Sequence, residues 1–432
     1  MSDTMWRVPT SNRSRLGALL SSGWLLAVGF VAVHAWVIAA AIRWGYTIYG
    51  DVTLYEWWAR HGLQTGQWPV LDYDWVYPAL ALVPVVLPAL LSADVLGYEI
   101  VWTAMVVLLD AAATVVLARS TRRGTLAAWW WLAFLVALGP IFVGRLDGVV
   151  APLILVALVV ATTRPRLAVA VATVGAWIKI APGAVVVALA ATRRSVRELV
   201  DHVVVPGAVV SAAVVGLALL GGAGTRALSV FGQQDSRTLQ AESVAATWFS
   251  VLRLADPTVR IDYNDVIYTY EVQGAAARQV ADALDWLLPL AVLAIGAVTW
   301  WSARRRPDHV PDVVLLGAAA LLLALIVFNK VGSPQFVAWI GPPLAAAIAL
   351  AGPSTRRFWW PPAVGVLLTA LATQVIYPVA YGPFLGGEPW IVVVAALRNL
   401  ALVVLLVGAV WRIAQLGLRA SAPHAVAASS GT

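Results

Sequence analysis

An aspartate, Asp51, follows the first long apolar run, in Tyr49-Gly50-Asp51-Val52-Thr53-Leu54-Tyr55-Glu56. A second acidic cluster, Asp72-Tyr73-Asp74-Trp75-Val76-Tyr77, closes the same loop. A carboxylate fixed at the mouth of a membrane helix suits a general base acting on a substrate held by lipid. An unperturbed aspartate is ionised at neutral pH and can serve directly. The chain has two lysines among its 29 Lys and Arg side chains. Both, Lys179 and Lys330, sit at the ends of apolar runs beside a proline-containing turn. An ionisable group at that depth is costly and usually faces a cavity or a partner. An ammonium is a compact point charge that suits a phosphate. The competing explanation is that each lysine snorkels to the interface.

Other polar residues interrupt apolar sequence. Arg145 and Asp147 do so in Gly144-Arg145-Leu146-Asp147. They either pair with each other or form a rim on the Asp51 cavity. Arg398 lies about two turns inside the last apolar run, roughly 12 Å at 1.5 Å per residue, and needs a carboxylate or an anionic ligand. Asp110 lies deep in another run and needs a partner too, so an Asp110–Arg398 pair is one solution. The polar stretch from Gln233 to Ser243 carries Arg237, Gln240 and Glu242. It reads either as a helix over an outer cavity or as a solvated face. Gln335 follows the Lys330 turn. Asp72 and Asp74 are two residues apart, which is weak support for a divalent cation, and His34 and His61 are isolated. No metal site is expected. There is no Walker motif and no glycine-rich nucleotide loop, so no ATP-driven pump, no bound nucleotide and no cofactor are expected. Nothing points to nucleic acid.

These residues must be positioned by membrane helices. Of 432 residues, 61% are hydrophobic and 12% charged, and the mean hydropathy is +0.83. A water-soluble chain of this length needs far more polar surface. The 22 tryptophans cluster near run ends, as an interfacial belt requires. There is no cysteine, hence no disulfide or thiolate metal site. The run at 22–42 reads as a retained anchor, not a cleaved leader. Thirteen apolar runs are visible. The one at 77–91 carries Pro78, Pro84 and Pro88 and is short for a bilayer. With that run taken as interfacial, every arginine-rich loop falls on one side, and Arg7, Arg13 and Arg15 join them there. About twelve crossings remain, with both termini cytoplasmic. Segments 167–178 and 180–192 are read as two short helices split at Lys179 and Pro182.

The expected fold is therefore an all-α polytopic membrane protein. It has a cytoplasmic segment 1–21, a membrane domain 22–411 with large outer loops at about 43–94 and 221–282, and a cytoplasmic tail 412–432 without regular structure.

At this point the chain resembles the GT-C superfamily of glycosyltransferases. It is most similar to the bacterial polyprenyl-phosphate-mannose-dependent mannosyltransferases of family 87, and more faintly to the GPI mannosyltransferase I family. The resemblance rests on Asp51, Val76-Tyr77-Pro78-Ala79-Leu80, Leu108-Leu109-Asp110 and Gly144-Arg145-Leu146-Asp147-Gly148. It extends to Ile178-Lys179-Ile180-Ala181-Pro182, Arg237-Thr238-Leu239-Gln240-Ala241-Glu242-Ser243 and Asn329-Lys330-Val331-Gly332-Ser333-Pro334-Gln335. It implies a GT-C-like bundle and an inverting transfer of a sugar, mannose first, from a polyprenyl-phosphate donor. The acceptor would be a glycolipid or glycan of the cell envelope, on the outer face of the plasma membrane. Asp51 would be the catalytic base. Lys179, Lys330, Arg145, Arg237 and Arg398 would hold the donor phosphate. Tyr49, Glu56, Asp72, Asp74, Tyr77, Asp147, Gln240, Glu242 and Gln335 would contact substrate. The rival reading is a flippase or transporter of lipid-linked sugars. Against it, the sequence shows no inverted repeat and no matching pair of interrupted helices.

Overall fold

The computed structural model describes residues 22–234 and 237–419. The basic stretch around Arg7, Arg13 and Arg15, the pair Asp235–Ser236 and the tail from residue 420 lie outside the described residues.

The chain is an all-α polytopic membrane protein. Eight helices are long and apolar enough to cross a bilayer: Gly23–Trp44, Val95–Ser120, Gly124–Phe142, Val196–Leu220, Ala275–Arg305, Pro307–Val327, Arg356–Val379 and Pro389–Leu418. Shorter apolar helices cover Ala79–Leu90, Asp147–Val160, Pro165–Ile178 and Pro334–Leu350. In chain order we call α1 Gly23–Trp44, α2 Tyr46–Thr65, α3 Leu82–Leu90, α4 Val95–Ser120, α5 Gly124–Leu138, α6 Asp147–Val160, α7 Pro165–Ile178 and α8 Gly183–Ala191. Then follow α9 Val205–Leu220, α10 Ala275–Arg305, α11 Val310–Val327, α12 Gly341–Leu350, α13 Trp360–Gln374, α14 Tyr381–Gly386 and α15 Pro389–Leu418.

Of the twelve runs expected to cross, eight are helices of full length, and the other four, Asp147–Val160, Pro165–Ile178, Gly183–Ala191 and Pro334–Leu350, are shorter. At 1.5 Å per residue the 14 residues of α6 or α7 reach only about 21 Å. The short helices are interior. α6 is buried along most of its length, as is α12. α11 is apolar on every face and sits at the centre, with 83% of its most apolar stretch buried against 22% for α1.

Local sequence explains the breaks. Gly45, at φ +50°, ends α1 and lets α2 leave in a new direction. Asp94 caps α4 by accepting from the Gly97 N–H at 2.7 Å. α7 stops at Ile178 because Lys179 is extended and Pro182 follows. The 77–91 run is a turn, Ala79–Ala81, leading into the nine-residue α3, too short to span.

The second large loop differs from both sequence-based expectations. Residues 237–241 form neither a helix nor a solvated face. Leu239 O accepts from Val272 N, and Ala241 N donates to Tyr270 O, each at 2.9 Å. The segment thereby edges a hairpin in which Ile261–Asn264 pairs antiparallel with Thr269–Val272, Ile261 opposite Val272. Gln240 N donates to Lys330 O at 3.0 Å, which fastens this loop to the Lys330 turn.

The Asp110–Arg398 pair does not form. Asp110 accepts from Trp131 Nε1 at 2.8 Å, and His34 Nε2 stands 3.2 Å from its other oxygen. Arg398 faces Glu242 instead. Asp110 therefore ties α1, α4 and α5 together. Replacing it by alanine leaves the Trp131 indole N–H without its acceptor in a dry interior. Asp110→Ala should destabilise the protein by about 1–3 kcal/mol. The measurement is the thermal unfolding midpoint of the purified protein in detergent, and an unchanged midpoint refutes the clamp.

Candidate functional site

Asp51 lies in the second turn of α2. Its Oδ2 is 3.0 Å from Arg145 Nε. The Asp51 side chain is 37% exposed, while that of Arg145 is 8% exposed. A buried guanidinium needs its donors filled. Arg145 Nη1 donates to the carbonyls of Ile48 and Gly144, and Nη2 donates to the Tyr377 hydroxyl at 3.1 Å. Tyr377 in turn donates to Thr47 O. Both outer donors of Arg145 are thus committed to backbone and to tyrosine, and its Nε is turned on the carboxylate. The second oxygen of Asp51 accepts no hydrogen bond among the described residues. That leaves a carboxylate held at one side and open to a substrate hydroxyl at the other.

Four broken ends meet beside this pair. Asp147 opens α6, where a carboxylate suits the positive end of the helix dipole. It is fully buried. It accepts from Lys179 Nζ at 2.6 Å and from Trp339 Nε1 at 2.7 Å. Lys179 also lies 5.0 Å from the Phe336 ring centre. Lys330, just past the end of α11, donates to Asp285 of α10 at 2.8 Å.

A cavity of about 710 Å3 opens between these ends, lined by Tyr77, Lys179, Arg237, Asp285, Lys330 and Gln335 within otherwise largely apolar walls such as Leu288 and Phe328. Arg237 is the cation to watch. It has no ion pair among the described residues, and its Nε, shielded from solvent, has no hydrogen-bond partner there. Each lysine is offset by its own aspartate. Arg237 is therefore the net positive charge of the cavity wall. Tyr77 lines the cavity and also lies within electrostatic range of Asp51, Arg145 and Asp147. Asp51 itself does not line this cavity.

The scan against known families gives a direct answer. The family model described as Glycosyltransferase family 87 matches residues 75–328, more than half of the chain. The chain belongs to that family. No curated protein and no solved structure matches it at the significance applied. The family match contains Tyr77, Arg145, Asp147, Lys179, Arg237 and Asp285. Asp51 and Lys330 fall outside it, so their place in this glycosyltransferase rests on geometry.

Geometry also separates the sequence candidates. Asp51, Arg145, Tyr77, Asp147, Lys179, Lys330, Arg237 and Gln335 gather at one end of the bundle. Arg145 and Asp147 do not pair with each other. Arg145 takes Asp51 as its counterion and does not line the cavity. Arg398 is not on the cavity either. It is enclosed between α15 and the 239–243 loop, where its Nη2 is 3.4 Å from Glu242 O. Tyr49 is spent on Thr103 at 3.1 Å, inside the packing of α2 on α4. Glu56 is spent on Arg60. Asp72 accepts from Trp68 N at 2.7 Å and closes its own turn, and Asp74 is exposed. Gln240 receives Gly332 N at 3.1 Å and acts as a strut.

Glu242 is buried and accepts from the Tyr381 hydroxyl. Burial raises its pKa above the ordinary carboxylate value, against the opposing pull of Tyr381 and Arg398. Sequence reading missed Asp285, Tyr377 and Tyr381. Asp285 stands within an apolar run, which marks it as needing a partner. The two tyrosines lie at and just past the end of the 360–377 run and carry no charge to mark them. Among the described residues no three His, Cys, Asp or Glu side chains gather to hold a metal ion.

Tyr377 touches Arg145, which aims Asp51. Tyr377→Phe removes the hydroxyl that receives the guanidinium. Steady-state kinetics should show kcat falling about tenfold or more with KM for donor little changed, the pattern of a displaced catalytic group. A wild-type kcat would refute the support.

Proposed function

We propose that this glycosyltransferase moves a sugar, mannose in the reading its family resemblance favours, from a polyprenyl-phosphate donor to a hydroxyl of a cell-envelope glycolipid or glycan. The reaction would take place on the outer face of the plasma membrane, with both termini cytoplasmic, inside a catalytic membrane domain spanning 22–411. The observation that carries the proposal is the cavity. It combines apolar walls that suit an isoprenoid chain with Lys179, Lys330 and Arg237 in its lining, and its Tyr77 lies within electrostatic range of Asp51.

The chemistry follows from that arrangement. The donor lipid stays in the bilayer and lays its chain along the apolar wall. The phosphate meets Arg237, with Lys179 and Lys330 on either side. The acceptor hydroxyl lies against the free oxygen of Asp51. As the acceptor oxygen bonds to the anomeric carbon, its proton passes to Asp51. The bond from that carbon to the phosphate oxygen breaks with its electron pair, and polyprenyl phosphate leaves as an anion. Single displacement inverts the anomeric centre. One base suffices, because the leaving group is already an anion. Cations held in a low-dielectric site stabilise the charge that develops on the phosphate.

Two substitutions test this reading in proteoliposomes supplied with radiolabelled polyprenyl-phosphate mannose and a membrane acceptor extract. Asp51→Asn should lower transfer by about 10²–10⁴-fold, the span of general-base catalysis, in protein that still unfolds cooperatively, with its melting midpoint lowered by the loss of Arg145's counterion. Turnover near that of the native enzyme would remove Asp51 from the mechanism. Arg237→Gln should raise the donor KM about tenfold, equal to about 1.4 kcal/mol of charge-assisted binding. An unaltered donor KM would mean that the paired lysines bind the phosphate without it.

A further inference from the structure

The opposite end of the bundle holds a second cavity that the transfer chemistry does not use. Its volume is about 500 Å3, and α11, α12, α13 and α15 enclose it. Arg412 lines it, 14 residues along α15 from Arg398, or about 21 Å at 1.5 Å per residue. The walls are apolar, with Leu316, Leu323, Leu344 and Val366 among them. Val404 and Trp411 also line it, and they are 60% and 61% exposed on the outer surface of α15. The cavity therefore opens sideways onto the surface that faces lipid.

Its polar end is basic. The Arg412 guanidinium lies 3.4 Å from the centre of the Phe358 ring, and Arg357 lies 5.0 Å from the same ring. Arg419 also lies within electrostatic range of Arg412. Arg412 Nη1 donates to Gln415 at 2.6 Å, but its Nη2 is shielded from solvent and has no hydrogen-bond partner among the described residues. The one carboxylate here, Asp312, is already committed. It accepts from Thr355 Oγ1 at 2.9 Å and stands 3.2 Å from His309 Nδ1. An apolar slot open to lipid, with Arg412 and the occupied Asp312 in its lining and Arg357 and Arg419 near Arg412, has the charge and shape for one occupant.

We propose that this cavity binds an anionic phospholipid of the leaflet opposite Asp51, with an acyl chain between α13 and α15 and the phosphate on Arg412 and Arg357. Basic pockets between membrane helices recognise lipid head groups in this way. The proposal does not depend on which sugar or acceptor the enzyme uses.

Native mass spectrometry of the full-length protein tests it, with dioleoyl-phosphatidylglycerol and dioleoyl-phosphatidylcholine as probes. Phosphatidylglycerol should be retained preferentially. Arg412→Gln should reduce that retention about tenfold, as for the loss of one charge-assisted phosphate contact. Gly408 lines the cavity, and an added Cβ there meets no atom within 4 Å. Gly408→Phe should fill the slot and abolish the preference with Arg412 intact, and Gly408→Leu replaces it where the larger ring unfolds the protein. Equal retention of the two lipids by the native chain overturns the proposal. So does a preference that survives either the charge change or the filling of the slot.

Discussion

The structure depends on the cost of charge in a dry interior. An isolated ion there costs several kcal/mol unless it is paired and hydrogen-bonded. The pairs that meet this demand join distant parts of the chain. Asp51 meets Arg145, Asp147 meets Lys179, and Lys330 meets Asp285. Each pair fixes the end of one helix against another element. Together they fix the place where α6, α7, α11 and the turn before α12 are interrupted. Irregular backbone at membrane depth is tolerated where it is buried in protein or lines a cavity. Pairing and interruption are thus one constraint. The broken ends supply the cavity, and the pairs keep those ends in register.

The same pairs set the electrostatics of the candidate site. Two lysines would be a strong anion trap if unpaired. With Asp147 and Asp285 beside them, the wall is close to neutral except at Arg237. In the proposed transfer a nearly neutral wall has a kinetic use: it would stabilise charge that grows on a leaving phosphate without binding the product phosphate so tightly that it cannot leave. Asp51 is treated differently. Its counterion is fixed on backbone carbonyls and Tyr377, so the carboxylate keeps one oxygen free and its orientation set. The Asp51–Arg145 pair is thereby separate from the cavity lysines, whose own counterions are Asp147 and Asp285.

Much of this was legible in the sequence for a physical reason. A lone ionisable residue in an apolar run must have a partner or a ligand. That reasoning singles out Arg145, Asp147, Lys179 and Lys330 without any structure, and three prolines mark 77–91 as non-spanning. It does not say which partner. Asp110 and Arg398 each needed one, and the simplest pairing of the two was wrong. Asp110 took the indole N–H of Trp131, which carries no charge signal in the sequence, with the His34 ring 3.2 Å from its other oxygen. Arg398 took Glu242 from a loop that looked solvated. Its strand-like pairing depends on a hairpin 20 to 30 residues further on, with four-residue strands that a long hydropathic window does not register. Polarity near Asp51 misled in the other direction. Tyr49, Glu56 and Asp72 are close in sequence, yet helical and turn geometry direct each to a local partner.

The two ends of the bundle use arginine in opposite ways. At the Asp51 end, Arg145 has its outer donors filled by main chain and tyrosine, so it can orient but cannot leave. At the far end, Arg412 lies on an aromatic ring with a donor unfilled, beside Arg357 and Arg419. Clustered like charges raise the energy of that face unless anions approach it. A bilayer supplies such anions as head groups, and the apolar slot beneath supplies a place for the chain. A helix such as α15, with Arg398 enclosed near one end, is held there by protein and, under the lipid-binding proposal, by lipid at Arg412 near the other. That asymmetry would suit the proposed transfer, in which the donor slides between helices from one leaflet while the remainder of the bundle stays anchored.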